Sequence, residues 1–299
     1  MVAMKPAAMS RRTAVKTLAA TAALAFAGGA KAADRDMGGV IRARRGRIRQ
    51  SVVAWCFNPM PVPELARHAS VLGLKSVELC DPKFWPELKQ LGLTCAIAGS
   101  HGFAKGFAQP AEHAECLTVL RKRIDECVAF GVERVITFSG YRRGLSDDVA
   151  LKNMVDGLKK IVGYAEQRKV TLCLEMLNSR VAENMKGHPD YFCDDLERSV
   201  EVCRRVGSER MKVLFDIYHV QIMHGDVIAR LKQHAPFIAH VHTAGVPGRN
   251  EIDDTQELNY PPIMRTLIDL GYKGYVGQEF IPTRDKVASL AQGVEICDV

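Results

Sequence analysis

The sequence predicts an α/β protein folded as a (β/α)₈ TIM barrel, and three observations lead there. After residue 50, short apolar runs alternate with longer amphipathic stretches, and eight such repeats fill the remainder of the 299 residues. No Pro/Gly/Ser-rich linker divides them. The first β-to-α turn reads CFNPMPVP (56–63), with no Gly-rich phosphate loop of the kind that would mark an open, doubly wound sheet.

The predicted strands, in order, are SVVAW (51–55), SVEL (76–79), TCAIA (94–98), RVITF (134–138), TLCLE (171–175), KVLFD (212–216), IAHVH (238–242) and YVGQE (275–279). Each is a short run rich in β-branched and apolar residues. The clearest helices are 111–130, 147–169 and 190–206. In the second, apolar residues recur at Leu151, Met154, Val155, Leu158, Ile161 and Val162, the spacing of a helix with one buried face. Glycines in FGVERV, VGSERM and LGYKGY mark helix ends that lead into the next strand.

Charge is distributed unevenly. The formal net charge is +7, yet residues 1–49 carry 11 of the 41 Lys/Arg and two of the 34 Asp/Glu, leaving the rest with 30 bases, 32 acids and a net of −2. A nucleic-acid partner is therefore not expected of the folded body. The basic N-terminus reads as a twin-arginine signal peptide over residues 1–32. SRRTAVK (10–16) precedes the apolar LAATAALAFAGGA (18–30), and Ala30-Lys31-Ala32 closes it as a cleavage site. That run is shorter than the ~20 residues of a permanent membrane anchor. The expectation is a periplasmic or secreted protein, with a basic lead-in over 33–49 and a catalytic barrel over 50–299. The nine cysteines are odd in number and contain no CxxC pair, so no disulfide framework is legible.

In such a barrel, the C-terminal strand ends ring the functional site. Four successive strands end in metal-competent side chains: Glu175, Asp216, His242 and Glu279. One acid at a strand end is ordinarily the start of a loop, but four in register call for a common purpose. Three carboxylates and an imidazole suit Mg²⁺ or Mn²⁺, with Co²⁺ or Zn²⁺ compatible. His240, two residues deeper, reads as a core or supporting histidine. On the substrate side, the expected residues are Glu78 at the end of the second strand, His101 in GSHGF, Asn178 in EMLNSR, His219 and Arg249. Arg249 stands out because a guanidinium grips a carboxylate with two hydrogen bonds. Trp55, Phe57 and Trp85 could wall a pocket.

These stretches carry a family resemblance. LCLEMLNSR (172–180), VLFDIYHVQIMHGD (213–226), HVHTAGVPGRNEIDDTQELNY (240–260) and GYVGQEFIPT (274–283) resemble the hydroxypyruvate isomerases, within the xylose isomerase-like barrel superfamily. The resemblance covers about residues 50 to 290. It implies a divalent cation at Glu175, Asp216, His242 and Glu279, with Glu175 and Glu279 doubling as the acid/base pair. The implied reaction interconverts hydroxypyruvate and 2-hydroxy-3-oxopropanoate through an enediolate. The export signal departs from typical members and leaves open an exported keto-sugar isomerase or epimerase, or a non-catalytic sugar-binding relative. An apurinic endonuclease-like barrel shares the DxxH turn of Asp216 and His219, but the body's charge argues against it. The expected partner is a small hydroxy-carbonyl molecule, and a homo-oligomer stays open.

Overall fold

In the computed structural model, the chain is described at residue 43 and over residues 45–299, so the signal-peptide reading and most of the lead-in lie outside the described residues. Seven strands run parallel in one sheet: β1 (Arg49–Val53), β2 (Ser76–Glu78), β3 (Arg134–Thr137), β4 (Thr171–Glu175), β5 (Met211–Asp216), β6 (Ile238–Thr243) and β7 (Tyr275–Gln278). Their order is β2-β1-β7-β6-β5-β4-β3. Because every connection between parallel neighbours must cross over, helices cover the outer face.

The expected third strand, 94–98, forms only isolated bridges, Ser76 to Thr94 and Ala98 to Val135. It still spans the gap between β2 and β3: Thr94 donates to Lys75 O, and Ala98 donates to Arg134 O. The ladder fails in its middle because the Ala96 amide turns to the Ser76 hydroxyl, 2.7 Å away, instead of to a backbone carbonyl. The ring thus closes through an irregular segment and not through a regular strand.

Helix ends follow local chemistry. The helix Asp147–Arg168 starts where the Ser146 hydroxyl accepts from Val149 N, with Asp147 and Asp148 in its first turn. The helix His113–Phe130 stops at Gly131, whose φ of 72° is left-handed. The helix expected at 190–206 begins only at Leu196, capped by Asp195. Residues 190–195 fasten loops at the barrel mouth instead. The Tyr191 hydroxyl donates to Glu175 O and accepts from Ser139 N. The described part of the lead-in also belongs to the barrel. Arg45 N and Gly46 N donate to the Asp298 carboxylate, and β1 already starts at Arg49.

One irregularity matters for the site. Between β5 and β6, the register passes from Val213 opposite Ile238 to Leu214 opposite His240, skipping Ala239. The carbonyl freed at this bulge accepts from Arg134 Nε at 3.0 Å and from the Tyr272 hydroxyl at 3.3 Å. Beyond the bulge, Asp216 stands level with His242.

Candidate active site

Glu175 is the last residue of β4 and Asp216 the last of β5; His242 lies near the end of β6, and Glu279 immediately follows β7. All are buried. Asp216 also starts the helix Ile217–Met223: its Oδ1 accepts from Tyr218 N at 2.8 Å and His219 N at 3.4 Å, which leaves Oδ2 for the site. One ligand atom from each of the four residues lies within 4.8 Å of all the others. His242 Nδ1 is 2.8 Å from Glu279 Oε2 and 3.8 Å from Glu175 Oε1.

Arg249 balances part of this negative charge. Its Nη2 donates to Glu279 Oε2 at 2.6 Å and to Asp216 Oδ2 at 3.2 Å, and its Nη1 donates to Met185 O at 2.6 Å. The guanidinium lies over the Trp55 and Tyr218 rings, 5.2 and 5.4 Å from their centroids. Burial pushes the Asp216 carboxyl up to about 8, despite Arg249. Glu175 is likewise raised, chiefly by burial. Burial also pushes Glu279 upward, but His242 and Arg249 outweigh it and hold the group well below the carboxylate range.

The donor set fits a divalent cation. Glu175 Oε1 is buried and lacks a hydrogen-bond partner, and His242 Nδ1, beside it in the same four-residue cluster, is buried with only the Glu279 carboxylate at 2.8 Å. An orphaned carboxylate oxygen beside a ring nitrogen that faces only carboxylates is costly unless a cation or a proton satisfies both. Three carboxylates and one imidazole form a hard, oxygen-rich set without thiolate.

The substrate-side residues fare differently. Arg249 lies in the wall of a cavity of about 230 Å³ at the barrel mouth, alongside Glu175 and Glu279. Leu79, Phe103, Phe138 and Leu177 supply apolar lining to the same cavity. Trp55 lines the cavity as expected, its Nε1 donating to Glu279 Oε1 at 3.3 Å. Phe57 instead packs edge-on against Phe280, and Trp85 against Phe130.

Glu78 does not face the substrate cavity. It is fully buried inside the barrel, with Oε1 3.1 Å from His242 Nε2 and Oε2 3.0 Å from His240 Nε2. Burial raises its carboxyl, but the two histidines prevail and hold it at about 2. His101 is also committed elsewhere. Its Nδ1 meets Gly102 O and Lys105 O, and its Nε2 meets Thr137 Oγ1, so it braces its own loop. Asn178 organises the loop after β4: its side chain donates to Lys186 O and accepts from Val181 N, and its amide donates to His219 Nδ1 at 3.0 Å. The His219 proton therefore sits on Nε2, which lies 3.6 Å from Asp216 Oδ2, beyond hydrogen-bond distance.

Sequence reasoning missed His188 and Met185, both lining the cavity. The His188 ring lies tilted against Phe103 with centroids 4.2 Å apart, and burial, then Arg249, lowers its imidazole to about 4. Its one sequence signal is a histidine inside the Gly-Pro break KGHPD.

A family profile for the xylose isomerase-like TIM barrel matches residues 67–297. The chain belongs to the xylose isomerase-like TIM barrel family. Among its relatives in that family, a human protein provisionally named a hydroxypyruvate isomerase is 30% identical over 244 residues, covering 80% of this chain and 81% of the human one. A 2-oxo-tetronate isomerase from Cupriavidus necator is 31% identical over 238 residues, 74% of this chain and 88% of its own. The crystal structure of a family 2 AP endonuclease from Brucella melitensis superposes with a TM-score of 0.71 at 26% identity, covering 82% of this chain and 98% of that one. The barrel's kinship is thus with isomerase-type enzymes.

Proposed function

We propose that this xylose isomerase-like barrel is a divalent-cation-dependent isomerase of a small α-hydroxy carbonyl acid, with hydroxypyruvate and 2-hydroxy-3-oxopropanoate as the interconverted pair. The observation that carries the reading is the placement of Glu175 and Glu279 together on one wall of a small cavity, within the four-residue cluster. Glu175, Asp216, His242 and Glu279 would hold the cation, which supplies Lewis-acid polarisation of a carbonyl when bound.

The remaining work falls to the chain's own groups. One of Glu175 and Glu279 takes the proton from the carbon beside the carbonyl, and the pair returns a proton at the neighbouring carbon, with an enediolate between the two steps. Arg249, whose guanidinium reaches the same wall, binds the substrate carboxylate. His219, whose Nε2 lies 3.6 Å from Asp216 Oδ2, moves a proton between the substrate oxygens. The apolar lining keeps water from the exposed carbanion. A four-carbon 2-oxo acid is the second reading, favoured by the C. necator relative's name. We also propose twin-arginine export to the periplasm, on the order of signals in residues 10–32.

The test is proton NMR in D₂O on metal-stripped protein, before and after Mg²⁺ or Mn²⁺, with hydroxypyruvate and 2-oxo-tetronate in parallel. Cation-dependent conversion of hydroxypyruvate is expected. Conversion of 2-oxo-tetronate alone moves the substrate to the four-carbon acid. Absence of both turnover and deuterium uptake overturns the isomerase reading.

A further inference from the structure

A carboxylate with no solvent contact, between two histidines in the interior of a barrel, needs a reason. Removing such a charge from water is unfavourable unless its partners restore what water gave. Glu78 comes from β2, yet it contacts two side chains of β6, and β1 and β7 stand between those strands in the sheet. It must therefore reach across the barrel interior. The layer it crosses has been emptied to admit it. By register, Ser51 of β1 stands opposite Gly277 of β7, and Gly277 opposite His242 of β6. A Cβ at Gly277 would lie 1.9 Å from Glu78 Oε1 and 2.8 Å from His242 Cδ2. Two of three inward positions carry a hydroxymethyl group or a bare Cα, where a barrel normally places bulky branched residues.

We infer that Glu78 is a positioning residue for His242: it accepts the Nε2 proton, so that Nδ1 turns a lone pair on the cation cluster. The two ring nitrogens are then divided. Nε2 faces Glu78 at 3.1 Å, and Nδ1 faces Glu175 and Glu279. A neutral imidazole carries one proton, and whichever nitrogen donates leaves the other as the ligand. The His240 ring stands beside the other end of the carboxylate, its Nε2 3.0 Å from Oε2. The inference rests on the four-residue cation site, and the tautomer measurement separates its failure from the failure of that site.

The experiment is ¹⁵N NMR of the histidine rings in the metal-free full-length protein at alkaline pH, where the His242 ring between Glu78 and Glu279 is neutral, together with Mn²⁺ titration by calorimetry, for wild type and Glu78→Gln. Wild-type His242 is expected as the Nε2–H tautomer. In Glu78→Gln, an amide that can donate towards Nε2 moves the proton to Nδ1, and Mn²⁺ affinity falls about 10–100-fold. His242 found as the Nδ1–H tautomer in wild type overturns the inference, and needs no variant to fold. An unchanged tautomer and unchanged Mn²⁺ affinity in folded Glu78→Gln overturn it as well. Glu175→Gln is the control: it weakens Mn²⁺ binding and leaves the His242 tautomer as in wild type. If wild type binds no Mn²⁺ but shows the Nε2–H tautomer that Glu78→Gln displaces, the cation site fails while the role of Glu78 stands.

Discussion

The same substitution, Gly→Ala, should have opposite effects at two places in this chain. Gly163 lies on the exposed side of the helix Asp147–Arg168, and an added Cβ there meets no atom within 4 Å. Alanine at that position gains helix propensity and loses unfolded-state entropy, together worth about 1 kcal/mol of added stability. Gly277 is a strand residue without a positive φ, so alanine brings no backbone strain. The obstacle is steric: a Cβ 1.9 Å from Glu78 Oε1, where His240 and His242 already flank the carboxylate at both oxygens. Overpacking costs about 1–3 kcal/mol, and displacing a buried charge from its partner adds to it. The steric cost therefore exceeds the propensity gain, and Gly277→Ala should destabilise by about 3 kcal/mol. For a barrel of this size that is a fall in Tm of about 6–12 °C, against a rise of about 2–4 °C for Gly163→Ala. Thermal unfolding followed by circular dichroism measures both. A Gly277→Ala variant within a degree of wild type would refute the account of how Glu78 is housed.

Two further predictions concern charge. Glu175→Gln and Glu279→Gln should each lower turnover at least about 100-fold while near-UV circular dichroism stays native; near-wild-type turnover in either would remove it from the acid/base pair. Glu251 holds the segment before the last helix: Oε1 accepts from Thr283 N and Ser289 Oγ, and Oε2 from Thr283 Oγ1. Burial raises its carboxyl, but these hydrogen bonds outweigh it and draw the group down to about 2, from an ordinary 4.5. A depressed folded-state value means the stabilisation is complete above about pH 4.5 and disappears as pH falls towards 2. Glu251→Gln should flatten the acid limb of the stability profile in that window, and an unaltered limb in urea titrations would contradict the assignment.

The cluster was readable in the sequence because strand ends are locally encoded: an apolar run that stops at Glu175, Asp216, His242 or Glu279 announces both the element and the residue's place on the barrel. Local information ends there. Nothing near Glu78 says that its partners are 162 and 164 residues ahead, and a strand-terminal acid reads the same whether it faces solvent or crosses the core. The irregular 94–98 segment has strand composition; what breaks it is the Ser76 hydroxyl taking the Ala96 amide, a contact between separate runs. Residues 190–195 look helical in composition but are drawn to the mouth by Tyr191, whose partners Glu175 and Ser139 belong to other repeats. His188 escaped notice for a related reason, since loops carry no periodicity from which a facing could be read.

The skipped Ala239 is, in effect, a parity correction. Side chains alternate between two faces along a strand, so pairing β5 with β6 without the skip would set Asp216 opposite Val241 and turn both histidines outward, towards the helices. Chemistry at the barrel mouth thus depends on the pairing stepping over Ala239, and on Arg134 and Tyr272 accommodating the one residue left over. Deleting Ala239 would let the same pairs form without a bulge, Ile238 opposite Val213 and His240 opposite Leu214, whereas keeping it and losing the skip would exchange the inner and outer faces of everything after it. An alignment of relatives that slid β6 by a single position would make the same exchange on paper, and would find valine where this barrel keeps its imidazole.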